Sequence, residues 1–156
     1  MRRVYVETSV WSMTAPNQDS ALRGPTIEFL ERCKRRVVLP CISAVVAAEV
    51  ARAPFDARTA ILRHMAEISP VLLPADEQVE VLARRFIEQR VLSDRRLDDA
   101  RHVACAFVND VDLLVSWNYR HIANVRKAEG FNAVAVLAGL TACLAIHSPL
   151  EVVEWE

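Results

Sequence analysis

Glycine is scarce in this chain: only Gly24, Gly130 and Gly139 occur, far apart. They make no G-x-G-x-x-G, which excludes the usual turn that cradles a dinucleotide pyrophosphate. Lysine is nearly missing. It stands at 34 and 127, and every other basic residue is arginine. Arginine grips phosphate bidentately and stacks on bases, although a GC-rich coding sequence gives the same bias. Neither sign of charge is in excess: the formal net charge is −1, so no global basic field draws in nucleic acid. Cys33, Cys41, Cys105 and Cys143 form no C-x-x-C pair, which points to reduced core thiols rather than disulfides or zinc. No H-E-x-x-H or paired histidine spacing suggests zinc either. Long apolar runs are lacking too. Phe131 to Ile146 is broken by Asn132, Gly139 and Thr141 and is too short to span a membrane. Arg2-Arg3 leads into three apolar residues before Glu7, which is no secretory signal, so the cytoplasm is the expected compartment.

What remains is an ordinary globular composition. The chain has 156 residues, 53% of them hydrophobic and 25% charged, which suits one domain around one core. Val4 to Val6 reads as a buried strand, followed by a loop with Pro16 and Asn17. Residues 20 to 35 read as a helix, with Leu22, Ile27, Phe29 and Leu30 as its apolar set. Arg36 to Leu39 reads as a strand stopped by Pro40. Ser43 caps a helix through about Ala53, and Asp56 caps another to about Glu67. Pro70 to Leu73 is the third strand, and Asp76 caps a helix to Arg90. A helix follows from about Asp98 to Val108, then a strand over Asp112 to Ser116 whose unbroken apolar character fits burial on both faces. A helix is expected from near Arg120 to about Ala138, interrupted at Gly130 and stopped by a left-handed Gly139. Ala142 to Ile146 reads as a fifth strand, and Pro149 opens a last helix. Strands alternating with helices predict an α/β fold: a three-layer α/β/α sandwich with a mainly parallel sheet of four to five strands.

In such a sheet the functional crevice lies beyond the carboxyl ends of the strands. Four acidic or amide side chains sit where elements start or stop: Glu7, Glu49, Asp99 and Asn118. Glu7 and Asn118 follow strands directly, while Glu49 lies at the edge of a buried helical stripe. Carboxylates gathered from distant segments repel one another, and a divalent cation that prefers oxygen is the usual remedy. That pattern predicts a metal-dependent enzyme acting on phosphates.

Several short runs carry a family resemblance. They are Val4-Tyr5-Val6-Glu7-Thr8-Ser9-Val10, Ser43 with Glu49, Asp99-Ala100-Arg101-His102-Val103-Ala104, Ser116-Trp117-Asn118-Tyr119-Arg120-His121-Ile122-Ala123-Asn124, and Ile146-His147-Ser148-Pro149-Leu150-Glu151. In this order and spacing the chain resembles a PIN-domain protein, similar to the toxin nucleases of the VapC type. The resemblance covers nearly the whole chain and implies a single PIN-like domain over residues 1–156. It implies a metal-dependent endoribonuclease, the toxin of a toxin–antitoxin pair, using Mg²⁺ or Mn²⁺. Glu7, Glu49 and Asp99 would hold the ion or its hydration water, and Asn118 would hold a water of the ion or a scissile phosphate oxygen. Two departures matter. Glu7 stands where most relatives have Asp, and Asn118 where many have a fourth Asp, which leaves three formal negative charges and implies weaker binding, above all of a second ion.

Other residues are candidates for substrate contact. Thr8 and Ser9 would donate to a phosphate or fix Glu7, or cap the turn after the strand. Asn124 would touch substrate or cap a helix. Arg120 heads a set with Arg95, Arg96, Arg101 and Arg126 that could line a phosphate path. His102 lies one turn beyond Asp99, either bonding a site carboxylate or sitting in the core. Trp117 and Tyr119 are expected to point the same way, opposite Asn118, and to be buried. The expected partners are RNA, an antitoxin protein and a second copy of the chain, because the helices from about 20 to 67 carry more apolar residues than one domain covers. The alternative is a catalytically weakened PIN domain that binds RNA or protein. A haloacid-type phosphatase is disfavoured because Glu7-Thr8-Ser9 is not D-x-D-x-T, and a receiver domain because Lys127 is poorly placed.

Overall fold

A computed structural model describes residues 1–141 and 143–154. β1 (Arg3–Val6), β2 (Leu39–Ser43), β3 (Val71–Leu73), β4 (Leu113–Val115) and β5 (Ala145–His147) form one sheet in the order β3-β2-β1-β4-β5. Every neighbouring pair is parallel. Successive strand residues face opposite sides of a sheet, yet Val4, Tyr5, Val6, Leu113, Leu114 and Val115 are all buried. Both faces are therefore covered, as a parallel sheet with helical crossovers requires. The helices are α1 (Thr8–Ser12), α2 (Ser20–Lys34), α3 (Ala44–Ala51), α4 (Phe55–Ile68), α5 (Glu77–Glu88), α6 (Leu97–Val108), α7 (Val125–Leu137) and α8 (Pro149–Val153). α5 packs on α6 and α7, and α2 on α4 and α8. Phe86 sits between Phe107 and Phe131, edge-on to the latter with ring centroids 5.0 Å apart. Among the described residues no helix is long and apolar enough to cross a membrane.

The three-layer α/β/α expectation holds, and the sheet is wholly parallel. Several element edges differ. β2 runs through Pro40 instead of stopping there. The Leu39 N–H donates to the Arg2 carbonyl in the β1 direction, so Pro40 turns its nitrogen toward β3, whose pairing begins only at Cys41. No ladder bond is lost there. Arg36, expected in the strand, has φ 59° and belongs to the turn before it. α4 starts at Phe55 with Pro54 as its cap, and Asp56 lies in the first turn. α7 starts at Val125, capped by Asn124, later than the Arg120 expected. Gly130 does not split it: a Cβ there would meet Val91 Cγ1 at 3.1 Å, so the small residue lets α7 approach the segment after α5. Gly139 has φ 90° just past the helix end. β5 begins at Ala145 because Leu144 gives its N–H and carbonyl to the Asn132 side chain, not to β4. Ala142, expected to open that strand, lies outside the described residues.

β1 lies between β2 and β4, so the chain's crossovers diverge on either side of it. Its carboxyl end, beside that of β4, is the switch point where such sheets bind ligands. The parallel register pairs Val6 with Val115 and so sets Glu7 next to Ser116.

Candidate active site

Glu7 continues the ladder, its N–H donating to the Val115 carbonyl at 3.1 Å, and then turns to cap α1. Its Oε2 accepts from the Ser9 N–H at 2.7 Å, and its Oε1 from the Ser9 hydroxyl at 2.8 Å and the Ser116 hydroxyl at 2.6 Å. Those hydroxyls are themselves fed by backbone donors: Trp117 N–H to Ser9 Oγ and Asn118 N–H to Ser116 Oγ, each at 2.9 Å. The side chain is buried, so these donors substitute for water. Of the roughly four acceptor positions of a carboxylate, three are taken.

Glu49, on α3, is held differently. Its Oε1 accepts from the Thr8 hydroxyl at 2.9 Å and from His102 Nε2–H, while its Oε2 has no protein partner among the described residues. Burial pushes this carboxyl up, but the His102 and Thr8 bonds outweigh it and hold it below the ordinary glutamate value. His102 is fully buried on α6, and its Nδ1 lies 2.7 Å from the Tyr5 hydroxyl. Burial would lower the imidazole, yet the Glu49 bond and the charges of Glu7, Glu49 and Asp99 raise it.

Asp99 sits in the first turn of α6, half-buried, with no side-chain hydrogen bond or ion pair among the described residues. A helix start favours a negative charge. Here burial and then the Glu7 charge, with a smaller push from Glu49, win over His102 and Arg96 and drive its carboxyl up to about 6. The shift reports that the three acids share one field. They do not form a closed ligand cage: among the described residues no group of three or more His, Cys, Asp or Glu side chains is placed to hold one ion. The three acids expected to hold an ion or its hydration water are thus not arranged as three direct ligands of one ion. The reason is visible in the bonds: Glu7 is drawn inward by Ser9 and Ser116. The donor chemistry still fits a hard cation, with Asp99 and Glu49 Oε2 presenting free carboxylate oxygens and Glu7 lending charge behind them. A site with one or two direct carboxylates and water elsewhere is the habit of Mg²⁺.

The remaining candidates divide. Ser9 fixes Glu7, and Thr8 fixes Glu49 instead. Asn118 uses its Oδ1 to accept the His121 N–H at 3.0 Å, closing the turn after β4. Asn124 caps α7, accepting from the Lys127 N–H at 2.8 Å, and its amide donates to the Tyr119 carbonyl at 2.6 Å. Arg120 is exposed. Burial lowers His121, as do the charges of Arg96, Arg120 and Lys127. The Arg96 charge acts on both Asp99 and His121. Arg101 is engaged elsewhere, bonded to Glu80 and Asp98. Trp117 is buried and donates to the Thr26 hydroxyl at 2.7 Å, but Tyr119 is exposed, contrary to expectation.

Sequence reasoning gave Tyr5, Ser43 and Ser116 no role here, and left His102 open. For Ser116 the signal was present: the strand register alone puts it beside Glu7. Nothing in the local sequence marks Tyr5, which looks like any strand residue.

The chain matches no protein-family model and no curated protein. It is similar to a chain in the crystal structure of VapBC2 from Rickettsia felis bound to a DNA fragment from their promoter, with a TM-score of 0.58. The two share a fold. The match covers 94% of this chain and 98% of the Rickettsia felis chain at 11% sequence identity, so the architecture is common while almost every side chain differs.

Proposed function

We propose that this protein hydrolyses RNA phosphodiester bonds at the hollow formed by Glu7, Glu49 and Asp99, with Mg²⁺ or Mn²⁺, as the toxin of a toxin–antitoxin pair. The observation that carries the reading is geometric: among the described residues, Thr8 and His102 hold one oxygen of Glu49 and leave the other without a protein partner, while Asp99 stands unbonded in the first turn of α6, the helix that carries His102. The shared fold with the VapBC2 chain and the PIN-like motif order support it. Asp99 and the free Oε2 of Glu49 would hold the ion, with Glu7 acting through water. When bound, such an ion supplies positive charge to the phosphoryl oxygens and makes water a better nucleophile.

This chain's own residues do the rest. The Ser9 and Ser116 hydroxyls keep Glu7 in place, so its charge faces a fixed direction. Arg96, whose charge acts on Asp99, and the exposed Arg120 would take the phosphates flanking the scissile one. Thr8, already donating to Glu49, orients that carboxylate rather than the substrate. On α4, Phe55 and Leu62 are 70% and 51% exposed, apolar surface of the kind a partner helix covers. The partner proposed is the antitoxin, with a second copy of the chain as the other cover.

Purified protein with Mn²⁺ and a structured or single-stranded RNA tests the reading. Cleavage that disappears in Asp99→Asn supports it, and cleavage untouched by that change removes it. The second reading, a binding module without catalysis, is favoured by one observation: the Asn118 amide oxygen and most of Glu7 are spent on holding the fold. Calorimetry separates the two. RNA binding without any uptake of Mn²⁺ at millimolar concentration supports the module.

A further inference from the structure

A line of buried hydrogen bonds runs from β2 to the Glu49 carboxylate. The Ser43 hydroxyl lies 2.7 Å from the Tyr5 hydroxyl, and Tyr5 lies 2.7 Å from His102 Nδ1. His102 Nε2 bonds Glu49 Oε1. The line joins β2, β1, α6 and α3, and its inner members, Tyr5, Ser43 and His102, are fully buried. Such a chain is not needed to hold the sheet, which pairs through its backbone, and it ends at one carboxylate.

We propose that His102, braced by Tyr5, is a positioning residue that sets the Glu49 carboxylate, turning Oε1 inward and leaving Oε2 to the hollow. The inference rests on the nuclease reading for the use of that oxygen. Its geometry stands apart from it. Glu49 has three side-chain torsions and lies at the edge of the α3 stripe, 27% exposed, so nothing in the helix itself prevents it from swinging out to water. Two donors on one oxygen do prevent it: Thr8 from the start of α1 and His102 from α6. The imidazole is a stiff arm. Its ring meets Tyr5 edge-on with centroids 5.7 Å apart, and its Nδ1 is tied to the phenol. Burial pushes the Tyr5 hydroxyl far above its usual pKa, so it stays a neutral donor and acceptor.

The arm works in either charge state of His102. With a neutral ring, Ser43 donates to Tyr5, Tyr5 donates to Nδ1, and Nε2–H donates to Glu49. With a doubly protonated ring, the bonds among Ser43, Tyr5 and Nδ1 reverse, and Nε2–H still donates to Glu49. α6 therefore delivers two things one turn apart: the free carboxylate of Asp99 and the arm that fixes the second carboxylate. The spacing of the two is set by one rigid helix.

The test uses His102→Leu, which keeps bulk and removes both nitrogens, His102→Gln, which restores a donor, and Tyr5→Phe, which removes the brace. The first readout is the set of scalar couplings of the Glu49 side chain by NMR, without metal and at one pH. A single rotamer is expected in the wild type and in His102→Gln, and rotamer averaging in His102→Leu, with Tyr5→Phe between them. The second is Mn²⁺ affinity, expected to fall about 10- to 100-fold in His102→Leu and to recover in His102→Gln. A folded His102→Leu or Tyr5→Phe protein whose Glu49 couplings and Mn²⁺ affinity match the wild type overturns the proposal. If His102→Leu does not fold, Tyr5→Phe and His102→Gln decide it by the same readouts. Wild-type protein that binds no Mn²⁺ while Glu49 still depends on His102 overturns the nuclease reading and leaves the positioning role standing.

Discussion

The Ser116 hydroxyl donates to the Glu7 carboxylate at 2.6 Å, although 109 positions separate the two in sequence. The bond closes the gap between the ends of β1 and β4 and is buried. Ser116→Ala takes one of three donors from that buried carboxylate. Unfolding by urea should show a loss of about 1–3 kcal/mol, and a variant as stable as the wild type would show that Ser9 alone suffices.

Asp99 carries the opposite lesson, because its ionised form costs stability. Its folded-state pKa of about 6 lies above the usual aspartate value of 3.8, so the folded protein binds that proton more tightly than the unfolded chain does. The penalty is absent below about pH 4, grows as pH rises toward 6 and is complete above it. Asp99→Asn should therefore stabilise the protein at pH 7.5, on the order of 1–2 kcal/mol after allowing for its contact with solvent, and do little at pH 4. Thermal unfolding at the two pH values measures this. The same variant is expected to lose nuclease activity, so stability and function part company at this residue.

A cation that relieves this repulsion must stabilise the folded state. Mn²⁺ at ten times its dissociation constant should add about 1.4 kcal/mol, raising the melting temperature of the wild type but not of Asp99→Asn. An equal rise in both proteins would place the ion elsewhere.

Away from the hollow, Arg101 forks onto Glu80, with Nε to Oε2 at 2.8 Å and Nη2 to Oε1 at 2.9 Å, pinning α6 to α5. A lysine cannot make both bonds. Arg101→Lys should lower stability by about 0.5–1 kcal/mol, the range for a partly exposed pair, without changing Mn²⁺ uptake. Reduced metal affinity in this variant would tie the α5–α6 contact to the site.

The fold was legible because its signals are local. Apolar strands such as Leu113–Val115 and caps such as Ser43 and Asp76 act within a few residues, and each element they mark is present. The errors fell where a distant contact decides the matter. Pro40 is harmless only because β3 starts one residue later, and Leu144 is irregular only because Asn132 reaches it across the turn. The acids of the site were legible as charges near element ends. Their partners were not, since Tyr5 and Ser116 become part of the site through sheet register and helix packing, which no short window of sequence contains.

Glu7 caps the start of α1 with the same carboxylate whose charge acts on Asp99. Neutralising that residue weakens a helix cap and removes the charge that acts on Asp99 in one stroke, and an inactive Glu7→Gln protein would say little about chemistry. Asp99 has no such second duty, which makes it the position where genetics can isolate charge from architecture.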